Sequence, residues 1–216
     1  KPVIMQMPDI MASSSDDNHF TYLMIFEDGN RIDLGIRCAP YIDNFEPAII
    51  ILDKDGFLPT LSFPNDKCWH IKPPTEKLFK SCCNEFWWCL NNVGKGIARD
   101  ELPYTMKMFN NYVRDMLNKM LEWYVGVNTK FSVSIGKFGK YFKKYLPQDL
   151  YEMYLKTYSN AIYTQLWISV FTACDLFHTA ALYVANYSGY SYNQSEENAM
   201  IDYLSSIRSE TESKEK

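Results

Sequence analysis

Histidine is scarce in this chain, with three in 216 residues, and none of His19, His70 and His178 has a partner at metal-ligand spacing. The six cysteines, at 38, 68, 82, 83, 89 and 174, contain no CxxC pair, and several lie in apolar runs. They read as reduced, packed thiols of a cytoplasmic protein rather than disulfides or zinc ligands. Cys82 and Cys83 sit inside a helical stripe, away from a helix N-terminus and from any histidine, which speaks against a cysteine nucleophile. An excess of basic charge is also missing. The net charge is −4 with a pI near 5.4, so bulk electrostatics exclude a typical nucleic-acid binder and leave room for a cationic partner. No signal peptide is visible, and no apolar run reaches the ~18 residues of a membrane span, so no membrane partner is expected. There is no internal repeat. There is no initiator Met either: the sequence opens in a strand-like run, Val3 to Met7, and reads as starting inside a sheet.

What is present is 47% hydrophobic and 16% aromatic, enough for sizeable cores and for ring-walled clefts. The stretch His19 to Arg37 predicts a β-hairpin, Phe20 to Phe26 and Arg31 to Ile36, turning at Asp28-Gly29. In the second strand Ile32, Leu34 and Ile36 alternate with Arg31, Asp33 and Arg37, so one face is expected against a core, with Asp33 held mid-strand on the other. Strand-borne carboxylates place oxygen ligands for Mg²⁺ in phosphoryl-transfer enzymes; an exposed Asp pairing with Arg31 or Arg37 is the plainer reading. Ala48 to Leu52 reads as a buried strand, closed by a turn at Asp53 to Gly56 that lacks the later acidic ligands of a calcium loop. Prolines at 59, 64, 73 and 74 mark a linker, and a domain boundary is expected at residue 74.

Beyond it the periodicity is helical. Thr75 is a good N-cap for a helix to about Arg99, striped by Leu78, Cys82, Phe86, Cys89, Leu90 and Val93, with Glu85 and Trp88 on neighbouring faces. A second helix is expected over Glu101 to Tyr124, with Pro103 in its first turn and Gly126 ending it. A glycine-punctuated turn at Ser134 to Lys140 leads into a basic segment with Lys143 and Lys144. Helices follow over Gln148 to Tyr158, Ile162 to Ala185 and Ser195 to Ile207, and residues 209–216 read as a disordered tail. The fold class is thus α+β: a β-rich part, residues 1–74, then a helical bundle, residues 75–208.

Gly136-Lys137 and Gly139-Lys140 look like a phosphate-cradling turn, since glycines let backbone amides approach an anion and lysines add charge. This is no P-loop, because Lys140 is followed by Tyr141 rather than Ser or Thr. A solvated basic turn is the plainer reading, just as scattered acidic residues such as Asp115, Glu122 and Asp175 are by default surface decoration.

Taken in order, Phe20 to Phe26 (FTYLMIF), Asn30 to Leu34 (NRIDL), Asp53 to Asp55 (DKD), Cys82 to Trp87 (CCNEFW), Lys95-Gly96, Gly136-Lys137 and Asp149-Leu150 resemble the aminoglycoside 6-adenylyltransferase (streptomycin adenylyltransferase) family. The resemblance runs from Ile4 to about His178. It implies a partial DNA-polymerase-β-like nucleotidyltransferase sheet followed by a helical substrate domain, transferring AMP from MgATP to a hydroxyl of a cationic aminoglycoside. Asp33 would then be a Mg²⁺ ligand or the base for the attacking hydroxyl. Glu85, with Trp88 beside it, would face the substrate. Lys137 and Lys140 would neutralise the triphosphate, with Lys119 and Trp123 walling the nucleotide. In this family a glycine-serine turn and a paired-aspartate strand precede the position of Ile4; the residues here include neither, so Asp33 alone is not expected to assemble a two-metal site, and these 216 residues are expected to be inactive by themselves. The alternative is a non-catalytic module that binds a cationic or nucleotide ligand.

Overall fold

The computed structural model describes residues 1–6, 19–37, 48–61 and 64–214, and these fall into two compact units, Lys1–Asn65 and Asp66–Lys216. The division lies ahead of the expected boundary at residue 74, and Ile71, at 3% exposure, already belongs to the helical core.

In the first unit, β1 (Pro2–Gln6), β2 (His19–Phe26) and β3 (Arg31–Arg37) form an antiparallel sheet in that order. The hairpin closes as its sequence predicts. Gly29 takes a φ of 80°, the Phe26 amide donates to Asn30 O (2.9 Å), and Asp28 Oδ1 accepts the Asn30 amide at 3.0 Å. That backbone bond, with the Asn30 side chain, holds the Asp28 carboxyl below its ordinary pKa. Pairing sets Leu23 opposite Asp33, Met24 opposite Ile32 and Tyr22 opposite Leu34. The alternation is therefore real, but the apolar face is not buried: Ile32, Leu34 and Ile36 keep 50%, 45% and 50% of their surface. Alternation separates two faces of a strand and says nothing about what covers either one. The run 48–52 corrects the sequence reading outright. It forms no strand, and Ile49, Ile51 and Leu52 are exposed. Asp53 accepts from the Gly56 and Leu58 amides (2.9 and 3.1 Å), so this acidic residue closes a turn. Cys38 lies outside the described residues.

The second unit is a helical bundle: α1 (Glu76–Ala98), α2 (Leu102–Lys107), α3 (Arg114–Asn128), α4 (Phe142–Tyr145), α5 (Gln148–Lys156), α6 (Tyr163–Ser188) and α7 (Gln194–Lys214). Thr75 caps α1, its hydroxyl accepting from the Leu78 amide (3.2 Å). Leu78 itself points outward, and Phe79 takes the first core position. Helices α2 and α3 are joined without a break by a π-helical turn, Met108–Val113, and the rod runs past Gly126. That glycine is a packing requirement: a Cβ there would stand 2.5 Å from the Phe131 ring. At the end of the π turn the buried Arg114 meets no carboxylate among the described residues. It donates to Asn110 Oδ1, Thr157 Oγ1 and Thr157 O (3.2, 2.8 and 2.8 Å) and lies 3.8 Å from the Tyr158 ring centroid, which pins the end of α5 to the rod.

Helix α6 is the centre of the bundle. It is long and apolar enough, by length and composition, to cross a membrane, although no unbroken apolar run in the sequence reaches that length; over half of its most apolar stretch is buried inside the protein, as befits a core helix. Phe177 stacks on Phe86 of α1 at 3.8 Å and 4°. His178 Nδ1 and the Tyr192 hydroxyl both meet Glu197 Oε2, at 2.8 and 2.6 Å, and Trp87 Nε1 donates to Tyr192 (3.1 Å), tying α1, α6 and α7 together. The charged stretch read as a tail continues α7 to Lys214. Four of the five described cysteines are buried, all five are free, and Cys68 is exposed. Burial pushes the Cys82 thiol up to about 12, and burial with a hydrogen bond to Glu85 does the same to Cys89.

Candidate functional site

A cavity of about 870 Å³ opens between the polar face of α3 and the segment 134–141. Asp115, Asn118, Lys119 and Glu122 reach it from one helical face, spaced as successive turns require. The opposite wall is the glycine-punctuated turn. Gly136 and Gly139 have φ of 68° and 74°, values a side chain resists, and between them Phe138 is held at φ 58°. Three bonds fix this backbone: Gly136 N to Ser134 Oγ (3.0 Å), Gly139 N to Gly136 O (3.3 Å) and Tyr141 N to Ile135 O (3.0 Å). Lys140 folds across Gly136, where a Cβ would lie 2.6 Å from its Cε. Asp66 and Trp69 complete the lining from the segment before α1.

The charges of this cavity are unevenly paired. Lys119 binds Glu122 at 3.0 Å, and Asp66 meets His70 at 3.0 Å. Lys137 and Lys140 meet no carboxylate among the described residues; each lies only beside a ring, Phe138 at 5.1 Å and Tyr141 at 4.8 Å. Asp115 is likewise unpaired there. The lining carries three lysines and three carboxylates and is balanced overall, but Lys137 and Lys140 both stand on the glycine turn, which makes that side of the cavity suited to an anion.

Of the residues singled out in the sequence, Lys119, Lys137 and Lys140 come together here. Trp123 does not: at 2% exposure it is a core side chain, with the Lys119 ammonium 5.4 Å from its ring. Its helical position turns it inward, a step of one residue from Glu122. Glu85 and Trp88 lie elsewhere on α1. Glu85 accepts from Cys89 Sγ (3.2 Å), and Trp88, 64% exposed, lines a groove with Glu196, Met200 and Tyr203 of α7. Asp33 belongs to the sheet unit, where Arg31 chelates it through Nε and Nη2 (2.7 and 2.9 Å), the plainer of its two sequence readings. No group of three His, Cys, Asp or Glu able to hold a metal occurs among the described residues. One carboxylate supplies too few oxygens for the near-octahedral shell of Mg²⁺, so these residues do not by themselves fit that ion. Sequence reasoning missed Trp69 and Phe138 as lining residues. The spacing of Asp115, Asn118, Lys119 and Glu122 was legible, but nothing in it distinguishes a cavity wall from a solvated face.

A three-stranded antiparallel sheet followed in the chain by a helical bundle matches an α+β, nucleotidyltransferase-like fold. The model of the family described as streptomycin adenylyltransferase matches residues 1–207. An aminoglycoside 6-adenylyltransferase of Bacillus subtilis (strain 168) is 35% identical over 204 residues, covering 91% of this chain and 72% of that protein. Those of Campylobacter jejuni and Staphylococcus aureus are 33% and 32% identical, over 88% and 92% of this chain and 68% and 71% of theirs. The crystal structure of an aminoglycoside 6-adenyltransferase from Bacillus subtilis superposes with a TM-score of 0.61 at 32% identity, covering 96% of this chain and 79% of that one. The chain belongs to the streptomycin adenylyltransferase family.

Proposed function

We propose that the protein serves aminoglycoside adenylylation, the transfer of AMP from MgATP to a hydroxyl of streptomycin or a similar cationic aminoglycoside, and so antibiotic resistance. The observation that carries this reading is that Lys137 and Lys140, which meet no carboxylate among the described residues, stand on a bonded glycine turn in a cavity of about 870 Å³ within a chain of this family. In such a transfer the acceptor oxygen forms a bond to the α-phosphorus, the bond from that phosphorus to the bridging oxygen breaks, and pyrophosphate leaves with its charge. Cations fixed beside the departing phosphates stabilise that charge as it develops. Lys137 and Lys140 take this role, and Asp33 is the metal ligand or the base that receives the hydroxyl proton. Glu85 and Trp88 offer a carboxylate and a ring to the acceptor's cationic groups.

Calorimetry with MgATP and with streptomycin tests binding on this chain, and turnover is measured in a chain that adenylylates. In such a chain Lys137→Ala should lower kcat/KM by roughly a hundredfold. Asp33→Asn should abolish turnover while MgATP binding persists. Near-normal turnover in either variant overturns the role assigned to that residue. Binding without turnover in the unsubstituted chain favours a ligand-holding module instead.

A further inference from the structure

Two aromatic side chains in the lysine cavity lie outside the buried core. Phe138 is 85% exposed and Trp69 is 59% exposed, both line the cavity, and neither ring touches another ring among the described residues. Phe138 is moreover held in the left-handed region, at φ 58° and ψ 29°, which a bulky residue avoids unless its surroundings impose it. The turn that imposes it also carries Lys137 and Lys140, and the Lys137 ammonium lies 5.1 Å from the Phe138 ring. Trp69 stands on a separate one-turn segment, Lys67–Trp69, braced by the Asp66–His70 contact at 3.0 Å. A flat apolar ring kept bare beside unpaired cations is complementary to a ligand that is planar and apolar at one end and anionic at the other.

We propose that Phe138 and Trp69 are the nucleobase platform of this cavity: the base stacks on these rings while Lys137 and Lys140 hold the phosphates. This rests on the reading that the cavity takes a nucleotide, and it adds how the base is recognised. Every base has a π-face, so recognition by stacking tolerates exchange of the base. ATP and GTP are therefore expected to bind this chain with similar affinity.

Calorimetry on the whole chain with MgATP, MgGTP, magnesium tripolyphosphate and streptomycin tests the proposal in the wild type, Phe138→Ala and Trp69→Ala. Both rings are largely exposed, so alanine leaves the core intact, and an unchanged Tm verifies this. MgATP is expected to bind about tenfold more tightly than tripolyphosphate, which has no base. Each variant should bring MgATP towards tripolyphosphate without changing tripolyphosphate itself, and MgGTP should follow MgATP. If both variants keep the ratio of MgATP to tripolyphosphate, the platform is wrong while the nucleotide reading stands. Loss of streptomycin affinity with MgATP binding intact would overturn the proposal by giving the rings to the acceptor. If the wild type binds neither MgATP nor tripolyphosphate, the nucleotide reading falls and the platform with it.

Discussion

The sheet unit and the helical unit have similar apolar patterning but opposite burial. Among the described residues of 1–65 none is buried, whereas the helical unit encloses Phe79, Phe86, Phe109, Phe142 and Phe177 at 1% exposure or less. The difference teaches that periodicity identifies which side chains share a face, while only a second element packed against that face converts it into stability. It also separates the candidate chemistry. The lysine turn and its aromatic rings stand on a rigid, well-packed bundle; Asp33 stands on a sheet whose described apolar face is open.

The comparison breaks most readily at the centre of the bundle. Phe177→Ala removes a fully buried ring stacked on Phe86 and is expected to cost about 3–5 kcal/mol, measured by chemical denaturation. Gly126→Ala places a Cβ 2.5 Å from the Phe131 ring and 2.9 Å from Ile71, and should cost about 1–3 kcal/mol in the same experiment. Leu34→Ala, at a position already 45% exposed, should cost about 1 kcal/mol or less. Hydrogen exchange sharpens the contrast: amides of β2 and β3 are expected to exchange well before those of α1 and α6, and equal protection would contradict it.

The smallest effect is electrostatic. Burial, joined by the charge of Glu197 and opposed by that of His178, raises the Asp175 carboxyl above its ordinary pKa. A raised carboxyl disfavours folding wherever it is ionised in both states, so its penalty is present above the folded pKa and vanishes as pH falls below the unfolded one. Asp175→Asn should therefore raise Tm slightly at pH 7, and the gain should disappear in acid. A gain that persists in acid would assign the effect to packing instead.

The thiols offer a chemical counterpart. Of the five described cysteines, Cys68 alone is exposed, while burial raises the pKa of Cys82, Cys83, Cys89 and Cys174. The sequence reading of packed thiols therefore holds for these four and fails for Cys68, which lies in the irregular segment before α1, where no periodic stripe predicts burial.

By itself the sequence determined the hairpin at Asp28-Gly29, the Thr75 cap, the helices of the bundle and the glycine-lysine turn. Each depends on interactions within a few residues: positive φ at glycine, a hydroxyl reaching the third amide, and apolar positions repeating with the turn of a helix. The CCNEFW and GK segments also carried the family. Only the tertiary structure decided that the run 48–52 forms no strand, that Ile32, Leu34 and Ile36 stay exposed, that Trp123 turns into the core beside Glu122 in the cavity wall, and that Lys137 and Lys140 lack carboxylate partners among the described residues. Those outcomes depend on what lies across space from each residue. Trp69 and Phe138 are far apart in the chain, and only the packing of the bundle brings both to one cavity.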